Sequence, residues 1–166
     1  ALLTLLIPIL LGLLVPPRAL GSAAINAQGF SNTGTGMRTV QSLANGNSMD
    51  TSRWTLLDYV NALIYQPTNP ALQGKPIETV GFVWRSDELG ASEFFVARFV
   101  VSCCSADGIA INLPVRWEQT ADLSNDEWVR VRGTIGLETI QGEPVAVIHA
   151  TEVICIDQPA QPYIYP

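Results

Sequence analysis

Two adjacent cysteines and a nearby aspartate are the residues of this sequence best suited to chemistry. They lie in the stretch FVVSCCSADG, residues 99–108, as Cys103, Cys104 and Asp107, in a chain of 166 residues that has three cysteines in all. Thiolates and carboxylates bind zinc, and thiolates also bind softer ions. The Cys104-x-x-Asp107 spacing is typical of a turn that presents two ligand groups to one ion, and Cys103 can join only if it turns with them. The three residues are therefore candidate ligands for zinc or another thiophilic ion.

Other roles for the cysteine pair stay open at this point. A disulfide between adjacent residues would join Cα atoms about 3.8 Å apart across a trans peptide, below the usual lower bound of about 4.4 Å. On a regular strand the two thiols would point to opposite faces, so joint binding of an ion requires the strand to break there. The alternatives are buried or half-buried thiols of structural value, a metal or metalloid site, and redox chemistry.

Two further polar side chains lie inside apolar strand-like runs. Arg98 must reach solvent or meet a carboxylate, because burying it unpaired is costly. Arg98 is therefore expected either to form a structural ion pair or to hold a carboxylate ligand near the cysteines. His149, the single histidine, is either a half-buried, hydrogen-bonded imidazole or a ligand. The sequence does not place His149 or Cys155 near the SADG turn.

Signatures of common catalytic machinery are missing from the sequence. It contains no G-x-S-x-G, H-E-x-x-H or P-loop pattern. Acyl-transfer, metalloprotease and nucleotide chemistries would therefore lack their parts. We expect a protein that is not an enzyme.

The first 17 residues, ALLTLLIPILLGLLVPP, carry no charge, and Arg18 is the first ionisable side chain. As a helix they would be about 26 Å long, just short of a hydrocarbon core of about 30 Å. They predict the end of a transmembrane segment over residues 1–20, with a trimmed secretory signal or a buried helix as alternatives. Residues 21–48 are rich in Gly, Ser, Asn and Ala and predict a flexible linker.

The elements that must position the cysteines follow, in a domain predicted over residues 49–166. An amphipathic helix is expected over residues 52–65, capped by Asp50, Thr51 or Ser52 and ended by the prolines of QPTNP. After Gly74 the apolar period becomes strand-like, with a bend at Gly81. Strands are expected over 77–86, 93–104, 108–118, 127–136 and 143–157, the last as one long or two short strands. This pattern predicts a mainly β domain, a small closed β-barrel preceded by one helix.

Several stretches of this sequence resemble one known family. They are LLGLLVPPRALGS, GFVWRSDELGASEFFVARFVVSCCSADG, WVRVRGTIG, ATEVICIDQP and PYIYP. Together they resemble the YcgQ-like family of membrane permease-complex subunits, across almost the whole chain. The resemblance implies a membrane anchor at the N-terminus, an OB-like soluble domain and a partner similar to the ArsP-like permeases. Asp87 and Arg98 lie within the resembling stretches and are possible supporting residues, together with His149.

The charge balance separates the remaining classes of function. Eight basic and 15 acidic side chains follow Gly21, a net charge of −7. Single-strand-binding OB domains need a basic groove, so we expect no nucleic-acid partner and assign Trp84, Trp117 and Trp128 to packing. The sequence thus favours a membrane-anchored accessory subunit of a permease complex, with an extracytoplasmic soluble domain. A freestanding extracytoplasmic metal-binding or protein-interaction module is the alternative, and an oligonucleotide-binding OB domain is the third candidate.

Overall fold

The computed structural model describes residues 12, 14, 18–30, 51, 53–66, 69–86, 89–140 and 143–165. Within them the chain is mainly β, as predicted. Two helices, α1 and α2, precede six strands, β1 to β6. The elements are α1 Ser22–Gln28, α2 Leu56–Tyr65, β1 Pro76–Trp84, β2 Glu93–Val100, β3 Ile109–Arg116, β4 Trp128–Ile140, β5 Glu143–Cys155 and β6 Tyr163–Ile164.

The six strands form one sheet in the order β1-β4-β5-β3-β2-β6, and β1 also pairs with β2. The pairings of the five long strands, followed from β1 through β4, β5, β3 and β2, therefore lead back to β1. Gly81 lies at the point where β1 begins to pair with β2, since Phe82 is opposite Ala97. A Cβ on Gly81 would lie 2.5 Å from the carbonyl oxygen of Ala97, so only glycine allows this close approach.

One face of the sheet packs against α2. Leu56, Val60 and Leu63 of the helix join a cluster with alternate residues of the strands, including Val96 and Val131. The apolar face predicted for this helix is thus confirmed, and the helix ends at Tyr65 before the prolines as expected. Burying these side chains supplies the main stabilisation of the domain.

The opposite face of β1 and β2 is also buried, in a second cluster. Phe82 and Phe99 stack with ring centroids 5.8 Å apart, and Trp128 lies edge-on to Phe82. Ile25 of α1, 2% exposed, completes this cluster. Strands covered on both faces have continuous apolar runs instead of strict alternation, which explains FFVARFVV.

The segment 18–30 differs from the flexible linker that the sequence predicts over residues 21–48. Its residues 22–28 are helical, and Asp126 holds the start of the helix by accepting hydrogen bonds from the backbone N–H and hydroxyl of Ser22, at 2.5 and 2.7 Å. Asn26 accepts a hydrogen bond from the Trp84 indole at 3.0 Å. Few apolar residues are needed here, because Ile25 enters a cluster that the strands supply. The predicted domain boundaries stay predictions.

Two predicted element ends were wrong. Helix α2 begins at Leu56, capped by Thr55, because Thr55 and Asp58 form a reciprocal capping box. Thr51 does not cap it, and Asp50 and Ser52 lie outside the described residues. Strand β2 ends at Val100 and does not continue to Cys104, because the backbone N–H groups that follow donate to the Asp107 carboxylate.

The predicted membrane segment, residues 1–20, lies outside the described residues apart from Gly12, Leu14 and 18–20. Across the described part of the chain, no helix has the length and apolar character needed to cross a membrane.

Candidate metal centre

The turn that carries Cys103 and Cys104 is organised by the carboxylate of Asp107. This carboxylate accepts hydrogen bonds from the backbone N–H groups of Ser102, Cys103 and Cys104, at 3.3, 2.9 and 3.4 Å. Those N–H groups are therefore unavailable to a strand ladder, and β2 ends. Ser105–Asp107 then forms a 3₁₀ turn that leads into β3.

The break in the strand brings both thiols to one side. The Sγ atoms of Cys103 and Cys104 are 3.9 Å apart. Each lies within 4.8 Å of the other and of a carboxylate oxygen of Asp107. Two sulfurs bound tetrahedrally to zinc at about 2.3 Å stand about 3.8 Å apart, and a sulfur and an oxygen about 3.6 Å apart. The three side chains thus fit one thiophilic ion with little rearrangement, and they are the one such group among the described residues.

Both cysteines are exposed and neither forms a disulfide. The alternative of buried or half-buried thiols that stabilise a core is therefore wrong for this turn. The physical reason is that the chain leaves the core after Val101, which is 3% exposed, and the turn that follows projects into solvent. Exposed thiols are accessible to ions and to oxidants alike.

The Cys103 thiol and the Asp107 carboxylate shift each other's pKa. A hydrogen bond from the thiol to the carboxylate raises the pKa of Cys103, and the neighbouring thiol of Cys104 raises it further. The same bond, together with the backbone N–H donors, lowers the pKa of Asp107. The carboxylate is therefore ionised at neutral pH while the Cys103 thiol keeps its proton. An ion that binds here must displace that proton and take its place between sulfur and oxygen.

Arg98 does not meet a carboxylate among its described contacts. Its guanidinium donates to the carbonyl oxygens of Gln161 and Pro162, at 2.6 and 3.3 Å, and lies 5.6 Å from the centre of the Trp128 ring. Burial lowers the pKa of Arg98. The side chain fastens the C-terminal segment, so the predicted ion pair is not observed in the described structure.

His149 lies far from the cysteine turn. It is opposite Arg116 at the last residue of β3, whereas the turn precedes the first residue of that strand. Seven residue steps of strand separate the two ends by about 23 Å. The imidazole stands 3.3 Å from the Glu138 carboxylate and lines a separate cavity of about 460 Å³ with Arg116 and Trp117. Asp87 lies outside the described residues.

Cys155 forms a second contact between a thiol and a carboxylate, with Glu127. The hydrogen bond between them raises the pKa of Cys155. The backbone N–H of Ser124 lowers the pKa of Glu127, and the Cys155 thiol lowers it further. No second thiol accompanies it, so Cys155 is a natural control for the turn.

The part of the chain that lies beside the turn was not predicted. Gly108, directly after Asp107, faces Leu20, whose Cδ1 would be 2.6 Å from a Cβ at that glycine. The backbone N–H of Leu20 also donates to the hydroxyl of Tyr163 at 3.1 Å. One signal was available, because a glycine after an Asx-type turn often marks the close approach of another part of the chain. Nothing in the sequence identified that part as the segment before α1.

Comparison with known proteins supplies the wider setting. The sequence profile of the DUF1980 C-terminal domain matches residues 33–166. The UPF0703 protein YcgQ of Bacillus subtilis strain 168 is 30% identical over 94 residues, which are 55% of this chain and 33% of that protein. The chain thus spans about a third of that relative's length.

A second relative is similar over a longer region. A Streptococcus mutans serotype c protein, named as a predicted two-component membrane permease complex subunit, is 27% identical over 193 residues, covering 96% of this chain and 70% of that protein. Among solved structures, the small single-stranded DNA-binding protein from Streptomyces coelicolor aligns with 51% of this chain and 95% of its own. The identity there is 14% and the TM-score is 0.33, too low to support a structural or functional argument.

Proposed function

The chain belongs to the DUF1980 C-terminal domain family, and from that membership we propose that it is an accessory subunit of a membrane permease complex whose soluble domain binds a metal or metalloid ion. The name of the Streptococcus mutans relative supports the permease setting. In this proposal Cys103, Cys104 and Asp107 are the ligands, the ion is zinc or another thiophilic ion, and the protein binds without catalysing a reaction.

The observation that carries the ion-binding proposal is the geometry of the turn. The two sulfurs are 3.9 Å apart, close to the separation that tetrahedral zinc imposes, and a carboxylate held in its ionised state is adjacent. The carboxylate is held by three backbone N–H donors. It is therefore pre-oriented, which reduces the entropy lost when an ion binds.

The fold and location belong to the same proposal. The ring of pairings β1-β2-β3-β5-β4-β1 supports an OB-like barrel. The uncharged residues 1–17 act as the end of a membrane anchor, the soluble domain is extracytoplasmic, and the partner is a permease similar to the ArsP-like group. His149 has no part in the ion site as proposed, Arg98 contributes only by holding the C-terminal segment in place, and Asp87 stays a possible supporting residue.

The competing functions predict different partners. A freestanding metal-binding module would bind the same ion without a multispanning partner, so purification of the full-length protein from membranes separates the two. We expect a permease to co-purify in stoichiometric amount under mild detergent. Recovery of the ion-binding protein alone, with a permease of the ArsP-like group present in the same cells, would favour the freestanding module.

The ion site is tested by anaerobic titration of the domain with Zn(II) and As(III). We expect one ion per chain with a dissociation constant tighter than about 100 μM. Because two thiol protons are displaced, the apparent affinity for Zn(II) should fall about 100-fold per pH unit below neutrality. Weaker binding, or a pH dependence of zero slope, would contradict the proposal.

Matched serine variants assign the ligands. Cys103→Ser and Cys104→Ser should each abolish tight binding and leave the unfolding transition unchanged, since both side chains are exposed. Cys155→Ser is the control and should bind as the wild type does, because Cys155 contacts Glu127 and does not belong to the group of Cys103, Cys104 and Asp107. Loss of binding in Cys155→Ser, with binding kept in the other two variants, would show that the ion site lies elsewhere.

A further inference from the structure

We propose that the cysteine turn is a transfer site that faces the membrane surface, where it exchanges its ion with the membrane-embedded partner. This inference rests on the proposed function for both the ion and the membrane anchor, and it adds the orientation of the site and the kind of partner that receives the ion. Three features of the described structure carry it: the incomplete ligand set, the contact between the turn and Leu20, and the position of Arg18.

The ligand set of the turn is incomplete for a structural ion. Structural zinc sites are closed by four protein ligands, whereas sites that exchange or react keep one position open. The turn offers two thiols and one carboxylate, and no fourth His, Cys, Asp or Glu of the described chain joins the group. Both thiols are exposed. An ion held here keeps an open position on the solvent side, where a ligand of another molecule can reach it.

The turn lies directly beside the chain that enters from the N-terminus. Leu20 packs on Gly108, the residue that follows Asp107, and it also contacts the cluster around Phe99. The hydrogen bond from the Leu20 N–H to the Tyr163 hydroxyl fixes the backbone at the same place. Helix α1 continues from there and is anchored by Ser22 on Asp126. The short segment from Leu20 to Ser22 is therefore held beside the turn by a hydrogen bond at each of its ends.

The uncharged block ends at Pro17, and two residues, Arg18 and Ala19, separate it from Leu20. Arg18 follows Pro17 directly, and it is exposed. At no more than about 3.6 Å per residue, the Cα of Arg18 lies within about 7 Å of that of Leu20. In the proposed function the anchor ends at Pro17, and three residues of chain, spanning at most about 11 Å, connect it to Leu20 beside the turn. Arginine at such a boundary reaches the headgroups with its guanidinium.

The far end of the same domain provides an internal comparison. Glu118 is exposed and lies two residues after Arg116, the last residue of β3. It therefore lies at the opposite end of that strand from the cysteine turn. The two ends differ by about 23 Å along β3. If the turn faces the bilayer, Glu118 points away from it.

The experiment places one nitroxide at each end of the full-length protein in phosphatidylcholine nanodiscs that contain a nickel-chelating lipid. The first variant keeps Cys103 as its single cysteine, through Cys104→Ser and Cys155→Ser. The second carries Glu118→Cys with all three native cysteines replaced by serine. We expect nickel at the bilayer surface to enhance spin relaxation several-fold more at position 103 than at position 118.

Equal enhancement at the two positions, a larger one at 118, or none at either would overturn the inference. The labelled variants have lost the ion site, so their result is independent of whether an ion binds. A nearby Cys103 in a protein that binds neither Zn(II) nor As(III) would leave the orientation right and the proposed function wrong. Tight ion binding with a distant Cys103 would leave the function right and the membrane-facing orientation wrong.

Discussion

Replacing Ile25 by alanine should unfold the domain at a markedly lower denaturant concentration. Ile25 is 2% exposed and packs with Phe82, Phe99 and Trp128 on the outer face of the sheet. The substitution removes three carbon groups, worth about 2.5 kcal/mol at about 0.8 kcal/mol per buried methylene. The cavity left among aromatic rings raises the expected loss to about 2.5–4 kcal/mol.

The assay is urea unfolding followed by tryptophan fluorescence, with the loss taken as the change in midpoint multiplied by the slope. Two variants of the same helix calibrate it. Ile25→Val should lose about 0.5–1.5 kcal/mol, whereas the exposed Gln28→Ala should change the free energy of unfolding by less than about 0.5 kcal/mol. If Ile25→Ala is as mild as Gln28→Ala, then α1 does not cover the sheet, and the placement of Leu20 beside the turn fails with it.

Three more predictions follow from single contacts. Asp107→Asn, made with Cys103 as the only cysteine, should lower the pKa of the Cys103 thiol, because the side chain at position 107 loses the charge that raises this pKa. The alkylation rate of the thiol as a function of pH measures the change, and an unchanged midpoint would refute the hydrogen bond between the thiol and the carboxylate. Gly81→Ala should destabilise the domain by about 1–3 kcal/mol, because the new Cβ meets the Ala97 carbonyl oxygen, and thermal unfolding at the wild-type midpoint would show that the strands do not approach so closely. The domain should not retain single-stranded DNA at physiological salt, given its net charge of −7 beyond Gly21, and submicromolar binding that weakens steeply with salt in a gel-shift series would contradict this.

Elements with a strong repeating pattern could be predicted from the sequence. In β4 the alternation of Val129 and Val131 with Arg130 and Arg132 predicts the strand, and the structure buries the two valines completely. Both arginines lie on the exposed side, where they pair with Glu78 across the ladder to β1. Here the local pattern and the tertiary environment agree, so the alternation alone predicts both the strand and its buried side.

Features that depend on a distant partner could not be predicted. The segment around Ile25 has too few apolar residues to signal burial, and its place becomes clear only when the strands leave Phe82 and Phe99 uncovered on their outer face. The end of β2 depends on where the Asp107 carboxylate finds its donors, which composition does not show. The same event decides the candidate site, because it turns two thiols that a regular strand would separate onto one side.

The central claim is that Cys103, Cys104 and Asp107 together hold one thiophilic ion. X-ray absorption at the zinc edge of the zinc-loaded domain tests it most directly. The account predicts two sulfur neighbours at about 2.3 Å and at least one oxygen at about 2.0–2.2 Å, with both sulfurs lost in the Cys103→Ser, Cys104→Ser double variant and kept in Cys155→Ser. A spectrum with oxygen and nitrogen neighbours alone, or one that the double variant leaves unchanged, would contradict it.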